Sequence, residues 1–414
     1  MTLLRFPRSF ACAALLCCAS QLVAASPEDT AILKASLKIT EDWIANSKQK
    51  SIGSSASLGD KVTAQLKALH DPVLQKQALE LAPALDKAAL DRIALQPVTE
   101  AVANYKGTVR LENGGPQWLR DIVGDDDMHV FDRLTGIDLN DRQSPHDKTY
   151  KRNENITDEW LAVLKFTPEL TALDIANTGI KGPGLKEVGK LKNLETLNLT
   201  LTAITDEFLE PLQDLTKLRS LSLASAQCNG EGFRFFDKLK QLENANFHFT
   251  PVNDAGLAGI SHVPSLIRLE IVHTHFTDAG TPALAKLVNM ERLQIGSREA
   301  TGAALVPLRA MTKLRELDLH DGQATVEGLK NVAGLPSITV LRVYGPIKDE
   351  GAEIIAGMKN LETLIVPSTG ITDAGLKHFA TLSHLKKLEI KGCKVTAEGV
   401  AELVKAMPGL EVVQ

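Results

Sequence analysis

The chain is expected to fold as an α/β solenoid, with a parallel sheet on its concave face and helices on its convex face, preceded by a small helical segment. Three observations lead there. A unit of about 24 residues recurs from residue 134 to the end. Each unit opens with a short alternating apolar run that suits a strand and continues into a Thr-Asp-x-Gly-Leu sequence that suits the start of a helix. The residues before it carry helix punctuation and three- to four-residue apolar steps without any repeat.

Composition sets the outer bounds. The 414 residues are 44% hydrophobic, 23% charged and only 4% aromatic, which supports a large core. A mean hydropathy of -0.04 excludes a polytopic membrane protein. The 46 basic and 51 acidic residues give a formal charge of -5, which argues against a nucleic-acid partner, since such proteins carry a basic excess on one face.

Residues 1–25 read as an export signal. Arg5 and Arg8 form a basic start, Phe10 to Ala19 an apolar run, and Val23-Ala24-Ala25 a small-residue cleavage site, so the mature chain is expected to begin at Ser26. The run is shorter than the ~20 residues a spanning helix needs, and no later stretch is longer; no membrane insertion is expected once the signal is removed. Leu16 before Cys17 does not fit a lipid-anchor site. The expected location is the periplasm, the cell envelope or the medium. Cys12, Cys17 and Cys18 leave with the signal. Cys228 and Cys393 then lie seven repeats apart, roughly 34 Å at about 4.8 Å per strand, against the ~7 Å a disulfide tolerates between Cα atoms. Both are expected to be free and buried.

Residues 26–105 form the helical segment. Ser26-Pro27-Glu28-Asp29 combines a capping serine, a proline in the first turn and two acids. Leu33, Leu37 and Ile44, flanked by Ile32, Ile39 and Trp43, make one apolar stripe, which fits either core packing or a partner helix. Ser51 to Asp60 reads as a linker. Short helices are expected from Lys61, from Pro72 behind the capping Asp71, and from Pro83 to about Leu95. Residues 106–133, with Gly107-Thr108-Val109 and Gly114-Gly115-Pro116, are expected to be an N-terminal cap.

The repeat occupies residues 134–414. On the pattern L-x-x-L-x-L-x-x-T-x-I-T-D-x-G-L, units start at Leu170, Leu194, Leu218, Leu242, Leu266, Met290, Leu314, Ile338, Leu361 and Leu385. The step is 24 residues everywhere except from Ile338 to Leu361, where it is 23. An earlier unit begins at Leu134, Ile137 and Leu139 and resumes at Ile156-Thr157-Asp158 after an insertion, and Leu410 with Val413 reads as a closing strand. In the unit from Leu361, Leu364 and Val366 point inward, Asp373 is placed to cap the following helix, and Leu382 closes the core. One unit cannot bury its own leucines, so stacked neighbours supply the core.

This pattern resembles the leucine-rich repeat family, whose units run 20 to 29 residues. Its Ile-Thr-Asp-x-Gly-Leu version is similar to repeats of exported planctomycete-type bacterial proteins and to the cysteine-containing repeats of F-box adaptors. The resemblance implies a solenoid over about 280 residues; it is unspecific for function, since members bind proteins, peptides, glycans or nothing known. No F-box is recognisable in the helical segment.

The sequence has no Gly-x-Ser-x-Gly, His-Glu-x-x-His, phosphate loop or Cys-x-x-Cys, so no enzyme and no cofactor are expected. Asp125-Asp126-Asp127 lacks the spaced ligands of a calcium loop and reads as a solvated turn. The register exposes a set of outward strand residues instead: His248 and Phe249, then Arg268, Glu270 and His273, then Arg292 and Gln294, then Glu316, Asp318, His320 and Asp321, then Arg342 and Tyr344. Earlier units offer only smaller groups such as Ala172, Thr196 and Ser220. Arginine and aromatic residues beside carboxylates have the composition of binding hot spots, although opposite charges on adjacent strands also fit a solvated ladder of pairs. A metal is not expected at the histidines, because His248 and His320 sit three units apart, about 14 Å. Exposed histidines would make binding pH-sensitive near ~6.5. The Asn140 to Arg152 insertion is a second candidate surface. The expected partner is another protein or an envelope polymer; the rival reading is a structural envelope component with no dedicated ligand.

Overall fold

The computed structural model describes residues 25–46, 56–140 and 153–414. Residues 1–24 of the expected signal segment, residues 47–55, which include the first part of the expected linker, and residues 141–152 of the insertion lie outside the described residues. The chain divides into two compact units, one of residues up to Thr99 with Arg110–Leu134, the other of Glu100–Val109 with Thr135–Gln414.

The first unit is built from α1 (Pro27–Asn46), α2 (Ala56–Leu66), most of α3 (Pro72–Asn104) and α4 (Gln117–Val123). Ser26 Oγ accepts the Asp29 N–H at 3.0 Å, and Asp71 Oδ1 accepts from Val73 and Leu74, so the expected caps are in place. Leu33 and Leu37 are buried with Leu58, Val62, Leu66, Leu85, Leu119 and Phe131 in one apolar core. The stripe on α1 is therefore consumed inside this unit and is not a free partner helix. Two expectations fail here. Helix α2 starts at Ala56, within the stretch read as linker, because Leu58 and Val62 bury an apolar face there. The helix from Pro72 does not end before Pro83: α3 runs 33 residues through Pro83 and Pro97. A proline removes one N–H and costs roughly 3 kcal/mol in a helix interior, but Ala78, Leu85 and Ala89 on both sides of Pro83 are buried, and that packing carries the helix through. Asp125–Asp127 is a single 3-10 turn in which Asp127 pairs with Lys34 at 2.5 Å and Asp125 with Arg120.

The strands are β1 (Thr108–Glu112) and β2 (Arg133–Asp138), of which Arg110–Glu112 and Arg133–Leu134 are counted with the first unit, and, within the second unit, β3 (Ala172–Asp174), β4 (Thr196–Asn198), β5 (Ser220–Ser222), β6 (Asn244–Asn246), β7 (Arg268–Thr274), β8 (Arg292–Ser297), β9 (Glu316–Leu319), β10 (Val340–Val343), β11 (Thr363–Ile365), β12 (Lys387–Glu389) and β13 (Glu411–Val413). Their spatial order is their chain order. From β2 onward each pair is parallel and in register, Leu197 beside Leu221 and Leu317 beside Leu341, for example. The connections are short α-helices in some units and 3-10 turns in others. The repeated leucines and their isoleucine partners are buried, Leu364, Val366, Ile371 and Leu382 all at 0% exposure. The buried threonines turn their hydroxyls onto carbonyls: Thr178 to Ile175, Thr202 to Leu199 and Thr369 to Val366. That pairing removes the cost of placing a polar group in a leucine core.

Asp373 does not cap its own helix. Thr372 does, its hydroxyl accepting from Ala374 N, while Asp373 reaches the next unit and accepts both the N–H and the hydroxyl of Thr396 at 2.8 Å. The same clamp joins Asp254 to Thr277, Asp278 to Thr301 and Asp349 to Thr372; Asp158 and Asp206 hold three backbone N–H groups each. The motif's glycine follows from the clamp: a Cβ on Gly375 would stand 2.4 Å from Asp349 Oδ1, and one on Gly399 2.2 Å from Asp373 Oδ1.

Both cysteines are free, as expected. Cys228 is buried, its thiol donating to Ile204 O at 3.4 Å, and burial pushes its pKa up. Cys393, expected to be buried, is half-exposed; it stands at the buried threonine position, with Sγ 3.1 Å from Val366 O.

Candidate functional site

Every strand unit presents its second outward residue in one row across the sheet: Asn246 beside Glu270, then Gln294, Asp318 and Arg342. The parallel row of first outward residues runs Asn244, Arg268, Arg292, Glu316, Val340. Adjacent strands lie about 4.8 Å apart, so the rows bring carboxylates and guanidinium groups into reach. Arg342 donates to Asp318 at 2.8 Å and to Glu316 at 3.4 Å, and Arg292 lies 3.6 Å from Glu316. Asp318 is 3% exposed. Burial raises its pKa, and the Arg342 guanidinium offsets only part of that. Burial also raises Glu270, against the opposing charge of Arg292 and a hydrogen bond from Asn246. Arg268 and Gln294 have side chains without a hydrogen-bond partner among the described residues, and Arg292 Nε is buried without one.

Where the strands end, the backbone turns through a left-handed residue. Asn177, Leu201, Ser225, Phe249 and His273 occupy this position at 24-residue steps with φ between 55° and 58°. Left-handed backbone is costly for a bulky side chain, yet here it aims Phe249 and His273 along the rim of the sheet. The rim carries a continuous row of rings. Phe249 contacts His248 and stacks on His273, both at 4.5 Å between centroids; His273 meets His248 at 5.3 Å and His320 at 6.1 Å edge to face; His320 stacks on Tyr344 at 4.4 Å. Phe249 and Tyr344, the two ends, are 58% and 41% exposed.

The contact between His273 and His320 skips a unit. Two strand spacings amount to about 10 Å, and the gap closes because the unit between them has Gly296 at the rim. A Cβ there would lie 2.7 Å from His320 Cβ and 2.9 Å from Asp321 Oδ2. Without it, Asp321 reaches across two repeats and holds His273 Nδ1 at 3.0 and 3.2 Å, with Arg298 3.9 Å away. The local backbone is irregular for the same stretch. The β7–β8 pairing shifts register between Ile271 and Thr274, and Ser297 stays in the strand with its N–H held by the buried Gln323. The 23-residue step falls in the next turn, between Val343 and Ile347.

The expected residues thus sort into two connected groups. His248, Phe249, His273, His320, Asp321 and Tyr344 form the ring row; Arg292, Glu316, Asp318 and Arg342 form the ion-pair network, with Glu270 beside it. Arg268 and Gln294 stand on the same face but join neither group. Sequence reasoning placed Asn246 on this face but missed Gly296 and Arg298; a glycine at the unit position that holds His248 and His320 was the available signal. His248 and His320 are half-buried rather than exposed, and for these two the expected pH response moves below 6.5. Burial and the nearby His273 lower His248, and burial drives His320 down to about 4, so both are neutral at pH 7. Among the described residues no cluster of histidine, cysteine or carboxylate side chains is arranged to hold a metal ion, and no helix is long and apolar enough to cross a membrane.

Successive near-identical units stacked on one parallel sheet define a repeat solenoid. A leucine-rich repeat family model matches residues 190–212 and 381–404. Solved structures with a similar fold include an internalin of Listeria monocytogenes, at 14% identity over 61% of this chain and 82% of that one, TM-score 0.41. TLR13 in a complex with ssRNA13 is 17% identical over 61% of this chain and 43% of that one, TM-score 0.39. The plant peptide hormone receptor RGFR1, in complex with RGF2, is 14% identical over 61% and 55%, TM-score 0.34. No curated protein is significantly similar in sequence to this chain.

Proposed function

We propose that this chain is an exported, non-enzymatic recognition module that binds a protein or an envelope polymer through the sheet face of β6 to β10. The observation that carries the reading is the ring row with exposed Phe249 and Tyr344 at its ends, lying beside the Arg342–Asp318–Glu316 network. Large aromatic side chains and arginines flanked by paired carboxylates are the groups that dominate binding energy at protein surfaces. A solvated ladder accounts for the ion pairs but not for a row of five touching rings whose two most exposed members are phenylalanine and tyrosine. Export is supported by the basic start, apolar run and Val23-Ala24-Ala25 site of residues 1–25. The absence of catalytic sequence motifs supports a binding role rather than turnover.

The test is affinity capture from envelope extract and culture fluid, comparing wild type with a variant in which His248, Arg268, Arg342 and Tyr344 are replaced by alanine. Retention of a partner by wild type alone supports the reading. Identical material on both baits removes the face from consideration.

A further inference from the structure

We propose that the ring row and the polar rows beside it take an uncharged, polyhydroxylated chain, a neutral glycan, laid across β6 to β10. This rests on the reading that the face is a binding surface and names what it binds.

Three features of the face select that chemistry. The first is its charge balance. Glu270, Glu316, Asp318 and Asp321 are matched by Arg268, Arg292, Arg298 and Arg342, so the face has no net field with which to attract a polyanion or a polycation. His248 and His320 are neutral at pH 7 and do not change that balance.

The second is the geometry of the end rings. Phe249 has His273 stacked against it and Tyr344 has His320. Each terminal ring is fixed by its histidine neighbour while much of its surface stays open to solvent. The face of an aromatic ring is electron-rich, and the C–H face of a pyranose packs flat against it while its hydroxyls point sideways to polar partners.

The third is the supply of unused polar groups. The Arg268 guanidinium and the Gln294 amide have no hydrogen-bond partner among the described residues, and Glu270 has acceptor capacity beyond its bond from Asn246. They offer donors and acceptors together on β7 and β8, about 4.8 Å apart. A hydroxyl donates and accepts at once, so a sugar chain meets both kinds. Its donation to Glu270 also relieves a carboxylate that burial leaves poorly solvated. One cleft of the sheet, at the opposite strand ends, is lined by polar residues such as Glu291, Arg315, Glu362 and His384.

The full chain is applied to an immobilised panel of neutral hexasaccharides, β-1,4-glucan, β-1,4-linked N-acetylglucosamine and α-1,4-glucan, with hyaluronan and alginate as anionic controls; hits are measured by titration calorimetry. The expected result is binding to at least one neutral hexamer that falls at least tenfold in Phe249→Ala and in Tyr344→Ala and is kept in Tyr344→Phe. Thermal melting of each variant establishes that it is folded. Binding to the anionic polymers alone, binding indifferent to both ring substitutions, or no binding to the panel overturns the glycan assignment. If the panel is silent while both ring variants lose a protein partner captured by wild type, recognition by this face stands and only the glycan fails. If the ring variants capture what wild type captures, both fall.

Discussion

His320 offers the sharpest check on the ring row. It stacks on Tyr344, meets His273 edge to face, and burial lowers its pKa from 6.5 to about 4. The neutral ring is thus favoured in the folded chain while the unfolded chain titrates near 6.5. The unfolded state binds the proton first as pH falls, so this group's contribution is fully present above pH 6.5, declines below it, and is lost once the pH has passed through about 4. A shift of this size corresponds to at most about 3 kcal/mol, at 1.36 kcal/mol per pH unit. Glu270 and Asp318, whose pKa values are raised, act in the opposite sense and stabilise the fold as pH falls. Comparison with His320→Gln separates the effects. The ring proton signals of the ten histidines are followed by NMR from pH 8 to 3.5, the variant supplying the assignment, and urea unfolding is measured at pH 7.5 and 4.5. Wild type should show one ring with a midpoint near 4 and lose more stability on acidification than the variant. A midpoint at 6.5 for His320, or equal losses in both proteins, would refute the stacked, desolvated ring.

Other substitutions probe the remaining supports. Gly296→Ala forces a Cβ against His320 and should cost about 1–3 kcal/mol, as overpacking does, with loss of the His273–Asp321 hydrogen bond; an unchanged melting temperature and an unchanged His273 signal would count against that account. Asp254→Ala deletes both bonds to Thr277 and should lower unfolding free energy by about 2 kcal/mol, at roughly 1 kcal/mol per bond, measurable by urea titration. Phe233→Ala opens the buried Phe233, Phe236 and Phe247 cluster, whose rings lie 4.6 to 6.5 Å apart, and should cost about 3–5 kcal/mol. In the native protein a thiol reagent should modify half-exposed Cys393 faster than buried Cys228, and equal rates would contradict the burial.

The solenoid was readable because its register is arithmetic: leucines at fixed spacing must face one way, and the strand pairs match them unit for unit. What escaped was interaction across units. Asp373 stands where a helix cap belongs, so a reading confined to its own unit assigns it there; its partner lies 23 residues on. His273 and His320 look separated because the spacing argument counts strands and ignores the room that a missing side chain leaves at Gly296. Pro83 and Pro97 look like helix ends because the local rule does not weigh the buried leucines and alanines around them. In each case a local preference gave way to a neighbour that is distant in sequence.

The aspartate clamps have a mechanical side. They fasten one unit to the next on the helix side of the sheet; Gly182, Gly230, Gly302 and Val326 stand where the aspartate would be, the last two at consecutive junctions, from Thr301 to Lys348. Over that stretch Gln323 bonds Ser297 N and Thr301 O and Asn331 bonds Gly302 O, while on the sheet face Asp321 holds His273, Arg342 pairs with Asp318 and Glu316, and Arg292 lies against Glu316. On the sheet face the bonds that join those units are thus made by side chains of the proposed binding surface, so a ligand that engages them meets the same groups that hold neighbouring repeats together.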